Sequence, residues 1–394
     1  MFRHGHGQLP FRATLDYRKI LRLLAASVFA VLLIIATPSA SALIDAQFTE
    51  QLFMLPLPGS KSGIELETTL YRPPGPGPFP VLIMNHGKTR GNPRKQERDR
   101  FIAISREFVK RGYAVVIPMR TGFSNSGGQY VDDGCSMTAN GQTQANDIQG
   151  VVEYLSQQPW VNKDRIVVAG QSHGGLATLA FGTRNIAGVR GLINFAGGLK
   201  TDSGPCHWKS ALAGAFADYG AKTRMPSLWF YGANDSYFDP ALAASLHEAF
   251  VNAGGSARLV SYAAFKQDAH AMSGSRDGVK IWWPEAEQFL KQIGMPTDQV
   301  INLGPEPRLP KTAYAAIDNI EAIPYLQRHG REQYKIFLGK STPRAFAVST
   351  SGGWSWAEDG DDPVARVLAS CQRSSGQPCT LYAIDDDVVW SNHR

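Results

Sequence analysis

The sequence predicts an α/β fold, a mostly parallel, doubly wound sheet with helices on both faces, followed by a small C-terminal α+β module. Three observations predict it. Short apolar, β-branched runs alternate with helix-length segments between residues 81 and 293, the pattern of buried parallel strands joined by crossover helices. The pentapeptide Gly170-Gln171-Ser172-His173-Gly174 sits between one such run and a small, apolar helical segment. Past residue 293 the composition changes, and the stretch Gly304-Pro305-Glu306-Pro307-Arg308-Leu309-Pro310 has the stiffness of a Pro-rich linker.

Taken in chain order, the first 42 residues read as a secretory signal. Arg3, Arg12, Arg18, Lys19 and Arg22 precede an apolar run of 14 residues, 23–36, and Ala40-Ser41-Ala42 supplies a small-residue cleavage site. That run is short of the ~20 residues a spanning helix requires, so the expectation is export to the periplasm or beyond, with cleavage after Ala42 and no stable membrane insertion. An uncleaved anchor is the other reading. These five basic residues, less Asp16, supply four of the six net positive charges. The remaining balance gives no support for a nucleic-acid partner.

An antiparallel ribbon, 51–57 with 64–71, is expected to extend one edge of the sheet. The first core strand, 81–85, ends in His86-Gly87-Lys88. A helix over 98–111 leads to a strand at 113–119, and a helix over 147–158 leads to the strand 165–169. After the pentapeptide come a helix at 175–181 and strands at 189–194, 227–231 and 257–262. Helices over 240–253 and 282–293 complete the layer. Two long loops, 124–145 and 196–209, follow strand ends on one side of the sheet, where loops carry specificity. The expected organisation is a signal at 1–42, an α/β unit at 43–293, a linker at 294–310 and a module at 311–394 of unknown role.

The pentapeptide fits G-x-S-x-G, and its strand–turn–helix setting gives the pattern meaning. A turn that lifts a serine hydroxyl above the sheet is strained, so its neighbours must be small. Ser172 is the candidate nucleophile. A lone serine is a poor one and needs a base and an orienting acid, which in this architecture follow in the order acid, then histidine. Asp235 follows the strand 227–231, and His270 follows 257–262. Asp268, two residues from His270, is the rival acid. In this constellation His270 takes the serine proton during attack on an acyl carbon, and Asp235 fixes the imidazole tautomer. Oxyanion donors are expected from the backbone N–H of His173 and of Lys88, with Thr89 as the fallback for the latter. His86 is read as structural. Arg120 is read as a brace, with pocket lining as the alternative.

Together His86-Gly87, Arg120-Thr121-Gly122 with Ser126-Gly127-Gly128, the elbow at Ser172, Asn234-Asp235 and His270 resemble the α/β-hydrolase superfamily. The resemblance is to its dienelactone hydrolase-like and prolyl-oligopeptidase-like branch, over residues 50–293. It implies an α/β-hydrolase fold and acyl-transfer chemistry. Two departures bear on substrate. Dienelactone hydrolases place cysteine where this chain has Ser172. Prolyl oligopeptidases carry a propeller before the catalytic domain, whereas here a signal-like segment and a short stretch precede His86. The implied activity is esterase-like, on a small ester or short acylated substrate. A peptidase or amidase using the same residues is the first alternative. A catalytically silent binding protein, its tail engaging a cell-wall or protein partner, is the second.

The tail carries a strand at 345–350, a helix at 363–373 and a hairpin, 380–384 with 388–390, around Asp385-Asp386-Asp387. It resembles a short C-terminal module of some secreted bacterial hydrolases, marked by Arg344-Ala345-Phe346-Ala347 and Asp361-Asp362-Pro363. No EF-hand spacing surrounds the aspartates, and they read as a solvated turn. No P-loop, dinucleotide fingerprint or HExxH occurs, so neither cofactor nor metal is expected. Four cysteines in an exported chain favour disulfides. Cys371 and Cys379 flank a Gly-Pro turn, while Cys135 and Cys206 lie in the two long loops. The expected pairs are therefore Cys135 with Cys206 and Cys371 with Cys379.

Overall fold

The computed structural model describes residues 48–59, 63–201, 205–304, 309–340, 342–358 and 362–391. The signal-like segment and its cleavage site lie outside the described residues, as do residues 305–308 of the Pro-rich stretch. The described residues form one compact unit.

Its main sheet has eight strands. They are β1 (Glu50–Pro56), β2 (Glu65–Tyr71), β3 (Phe79–Asn85), β4 (Ala114–Pro118), β5 (Val161–Gln171), β6 (Val189–Phe195), β7 (Ser227–Gly232) and β8 (Ala257–Tyr262). Their spatial order is β1-β2-β4-β3-β5-β6-β7-β8. The β1–β2 and β2–β4 pairs are antiparallel, and every pair from β4 to β8 is parallel. The ribbon therefore extends one edge of a parallel sheet, as the sequence predicts.

Alternation explains why the core strands read as unbroken apolar runs. Val81, Ile83, Val116, Ile166 and Val168 pack on one face; Leu82, Met84, Val115, Ile117, Val167 and Ala169 pack on the other. Both faces are covered, so neither set of side chains can be polar. The first face carries α2 (Met137–Ser156), α3 (His173–Gly182), α4 (Trp208–Lys222) and α5 (Pro240–Asn252). The second carries α1 (Ile102–Val109) and α6 (Val279–Gln292), where Phe108, Trp282 and Phe289 are buried. Burying each large aliphatic side chain is worth about 1.5–3 kcal/mol.

Several expectations need correction. The helix expected over 98–111 spans Ile102–Val109 only. Phe101 takes a left-handed φ of 44°, and Arg98 and Arg100 before it reach out to Glu50. The expected loop 124–145 ends early, because α2 begins at Met137 rather than 147. Its first turns, Met137-Thr138-Ala139-Asn140-Gly141-Gln142, carry little apolar periodicity to read. They pack on α4, where Tyr219 Oη donates to the carbonyl of Thr138 at 2.9 Å. A Cβ at Gly141 would lie 2.2 Å from that hydroxyl. Helix α4 is an addition to the expected elements.

The tail forms a second sheet, with β9 (Arg344–Ser349), β10 (Trp354–Glu358), β11 (Cys379–Ile384) and β12 (Asp387–Val388) in the order β10-β9-β11-β12. Its pairs are antiparallel. Phe346 and Val348 pack with Tyr334 and Phe337 of α7 (Arg328–Leu338), while Ala345 and Ala347 pack with Val367 and Cys371 of α8 (Pro363–Ser375). Strand β10 and helix α7 are additions to the expected elements.

Candidate active site

Strand β5 ends at Gln171, and α3 begins at His173. Ser172 between them has φ 55° and ψ −122°, a conformation that costs a non-glycine residue about 1–3 kcal/mol. The surrounding glycines make that turn possible sterically, without themselves taking positive φ. A Cβ on Gly170 would lie 2.1 Å from the Gly174 carbonyl oxygen, and one on Gly174 would lie 2.2 Å from that of Asn85. The elbow is thus packed, backbone against backbone, onto the end of β3.

The acid and histidine loops meet beside it. His270 Nδ1 lies 3.0 Å from Asp235 Oδ2. The Asp235 side chain is fully buried, and that of His270 is 13% exposed. The other Asp235 oxygen accepts from the backbone N–H of Tyr237 and of Phe238, at 2.8 and 2.9 Å. Held in this way, the carboxylate presents one oxygen to the imidazole. Tyr237 and Phe238 flank the ring, with centroids 4.6 and 5.7 Å away. Among the described residues, no hydrogen bond joins Ser172 Oγ to His270; such contacts often tighten only when substrate binds.

Asp268 occupies a different place. It accepts from the Ser236 hydroxyl at 2.6 Å, the Ser236 N–H at 3.1 Å and the His270 N–H at 2.9 Å. Burial alone would raise its carboxyl, but these donors outweigh it and hold it below the ordinary range. Both oxygens are engaged with backbone and hydroxyl, and neither meets the imidazole. Two amides to which the sequence alone assigns no role, Gln171 and Asn234, hold the loops together. Gln171 Nε2 donates to the His270 carbonyl at 3.2 Å. Asn234 donates to the Lys266 carbonyl at 3.0 Å and accepts from the Phe265 N–H at 2.9 Å. Gln171 fills a position of the motif that tolerates any residue, so only its length and amide could have signalled the role.

The His86-Gly87-Lys88 turn runs against the elbow, since a Cβ on Gly87 would lie 3.3 Å from Ser172 Cβ. The Thr89 N–H is bound to Gln96 Oε1 at 3.0 Å, whereas those of Lys88 and His173 donate to none of the described residues. His86 is buried; its Nε2 accepts from the Arg120 N–H at 2.9 Å, and its Nδ1 lies 2.6 Å from the Gly87 carbonyl oxygen. Burial, then the Arg120 charge, holds its pKa well below the ordinary value. The neutral tautomer with hydrogen on Nδ1 satisfies both contacts. Burial likewise depresses His173, with Arg120 and Lys88 adding to it. Arg120 is fully buried, donates from Nε to Gln144 Oε1 at 2.8 Å, and is lowered to about 10, chiefly by burial.

Cys135 pairs with Cys206 and Cys371 with Cys379, with Cα atoms 5.7 and 6.1 Å apart. The pairs fit an oxidising compartment. Among the described residues, no helix is long and apolar enough to cross a membrane. No group of metal-ligand side chains gathers there either. The three aspartates of the tail are engaged: Arg344 bonds to Asp385 and Asp386, and Lys311 pairs with Asp387.

Residues 62–210 match the X-Pro dipeptidyl-peptidase (S15) family. The match spans the elbow and stops before Asp235 and His270. Among curated proteins, none matches the chain. Similar solved structures include a Klebsiella pneumoniae protein assigned as a dienelactone hydrolase, 19% identical with a TM-score of 0.43, covering 62% of this chain and 99% of that one. An esterase of Pyrococcus furiosus is 14% identical, with a TM-score of 0.46 and coverage of 66% and 97%. An acylaminoacyl peptidase of Pyrococcus horikoshii is 16% identical, with a TM-score of 0.47 and coverage of 65% and 43%. With a central parallel sheet whose fifth strand turns through a left-handed serine into a helix, and a peptidase family matched across that turn, the chain is a hydrolase of the α/β-hydrolase superfamily.

Proposed function

We propose that the chain is an exported serine hydrolase of carboxylic esters, with Ser172 as nucleophile, His270 as general base and acid, and Asp235 as the orienting carboxylate. The observation that carries this reading is the buried Asp235–His270 pair at 3.0 Å, in loops tied by Gln171 to the strained serine elbow. His270 Nε2 removes the hydroxyl proton as Ser172 Oγ bonds to the acyl carbon. The tetrahedral oxyanion lies towards the amides of His173 and Lys88. Collapse breaks the bond to the alcohol oxygen, which takes the proton from His270. Water, deprotonated in turn by His270, then releases the acid and restores Ser172. Each backbone donor is worth about 2.7–4 kcal/mol in comparable sites.

Ester chemistry is favoured by what surrounds His270. Tyr237 and Phe238 give an apolar wall suited to an acyl group. The two carboxylates there, Asp235 and Asp268, each already accept three hydrogen bonds, which leaves little of either for the charged amine of a dipeptide. The S15 match favours the second reading, cleavage of a prolyl amide by the same residues. Release of p-nitroaniline from X-Pro p-nitroanilides separates the two: the ester reading predicts turnover of p-nitrophenyl esters with none of the anilide, and efficient anilide cleavage would favour the peptidase. A silent binding protein would turn over neither. Export is supported by the two disulfides and by the signal-like segment. The module at 311–394 is proposed as a structural addition to the 43–293 unit, joined by the 294–310 linker.

A further inference from the structure

The segment carrying His270 runs from the end of β8 to the start of α6 with only short 3-10 turns, Ala269–Gly274 and Arg276–Gly278. Few of its own backbone bonds fix it, so side chains from elsewhere must. Two groups come from the α/β unit: Gln171 on the His270 carbonyl, and the Asn234 and Ser236 contacts to Lys266 and Asp268. The third comes from the C-terminal module. Lys266 Nζ donates to the Thr342 carbonyl at 2.7 Å and contacts Thr342 Oγ1 at 2.8 Å. Thr342 Oγ1 lies 3.1 Å from Asp277 Oδ2, and the Ser275 hydroxyl donates to the Thr342 carbonyl at 3.3 Å. Gln267 donates to the Gly339 carbonyl, and Arg276 pairs with Asp385. Thr342 thus binds residues on both sides of His270.

Lys266 is where these restraints converge. Its φ is 46°, a left-handed conformation in which a non-glycine residue persists only when its surroundings over-determine it. Asn234 holds its carbonyl from the acid side, and Thr342 holds its ammonium from the module side. Lys266 also pairs with Asp277 at 2.5 Å, which closes the loop on itself across the same threonine.

We infer that the C-terminal module positions the base: Thr342, gripping Lys266, Ser275 and Asp277, sets the His270 loop in register with Ser172. The inference rests on the proposed catalytic roles of Ser172, His270 and Asp235. Thr342 and Lys266 are positioning residues, since neither meets the substrate. A second tie between module and core, Arg100 to Asp362 at 3.2 Å, does not involve the loop and supplies the control.

The test measures kcat and KM on p-nitrophenyl acetate, the rate of fluorophosphonate labelling at Ser172, and thermal midpoint. The proteins are full-length wild type, Lys266→Met, Lys266→Arg, Thr342→Val, the Lys266→Met/Thr342→Val double variant and Asp362→Asn. Misplacing a catalytic group by a fraction of an ångström costs rate, not binding. Lys266→Met should therefore lower kcat and labelling together by about tenfold, with KM unchanged. Lys266→Arg should restore much of the loss. Thr342→Val removes the Oγ1 contacts to Lys266 and Asp277 but keeps the carbonyl contacts to Lys266 and Ser275, so it should lose less than Lys266→Met. The double variant should lose less than the product of the two single losses, because one contact is shared. Asp362→Asn should keep wild-type kcat. Wild-type kcat and labelling in a folded Lys266→Met overturn the inference, and should Lys266→Met misfold, wild-type kcat and labelling in a folded Thr342→Val, where a smaller loss is expected, overturn it instead. Equal losses in Lys266→Met and Asp362→Asn that follow the thermal midpoint overturn it too. A wild-type protein that does not label at Ser172 removes the catalytic reading beneath it, a failure visible before any variant is made.

Discussion

The serine elbow and the histidine loop are held in place by different means. At the elbow most determinants lie within a few residues: strand β5, a left-handed Ser172, and Gly170 and Gly174, where a Cβ would meet backbone oxygen, that of Gly174 in one case and of Asn85 at the end of β3 in the other. His270 instead owes its place to Gln171, Asn234, Ser236 and Thr342, residues up to 99 positions away in sequence. A local constraint is hard to perturb without unfolding the turn. A distributed one can be loosened contact by contact, and each loss is expected in rate before it appears in stability.

The largest expected effect tests whether the two regions act together. Ser172→Ala should lower kcat by about 10⁴–10⁶ with the circular dichroism spectrum unchanged, and His270→Ala should match it, because members of a catalytic unit are not additive. Activity within tenfold of wild type in either would break the comparison. Asp235→Asn should cost about 10⁴, as loss of the orienting carboxylate does in comparable sites. Asp268→Asn should cost far less, since its partners are the Ser236 hydroxyl and backbone N–H groups. If Asp268→Asn proves the more damaging change in kcat, the acid has been misassigned.

Stability sharpens the contrast between local and distributed constraint. Gly174→Ala puts a Cβ 2.2 Å from a backbone oxygen, and overpacking of this kind costs about 1–3 kcal/mol in urea unfolding. Gly274→Ala, in the histidine loop, meets nothing within 4 Å and should be near neutral.

Acid should destabilise the elbow side through its histidines. His86 and His173 are held neutral in the fold, well below their ordinary pKa. The unfolded chain therefore binds more protons, and stability falls as pH drops below about 6.5. The fall is about 1.4 kcal/mol per pH unit for each histidine and ends only at the depressed folded values. Urea midpoints from pH 7.5 to 5 would measure it, and His86→Asn should shallow the slope. A flat profile would mean that these imidazoles are not buried neutral.

The same contrast decides what could be read from the sequence. The alternating core strands, the elbow turn and the Cys371–Cys379 pair were legible because each leaves a signal in a short window, while the Cys135–Cys206 pair, 71 positions apart, followed from the placement of two loops at one end of the sheet. The start of α2 at Met137 was not, since its first turns carry little apolar periodicity and Gly141 packs against Tyr219, which is 78 positions away. The end of the expected 98–111 helix was lost to Phe101 and to arginines that prefer Glu50. Gln171 and Asn234 were invisible as supports, because a single amide announces nothing until two distant loops are adjacent.

The most direct measurement is fluorophosphonate labelling of the full-length protein, read by intact mass and peptide mapping. The account predicts one adduct, on the peptide containing Ser172, absent in Ser172→Ala and slowed strongly in His270→Ala. No adduct on the folded protein, or an adduct on another serine, would contradict it.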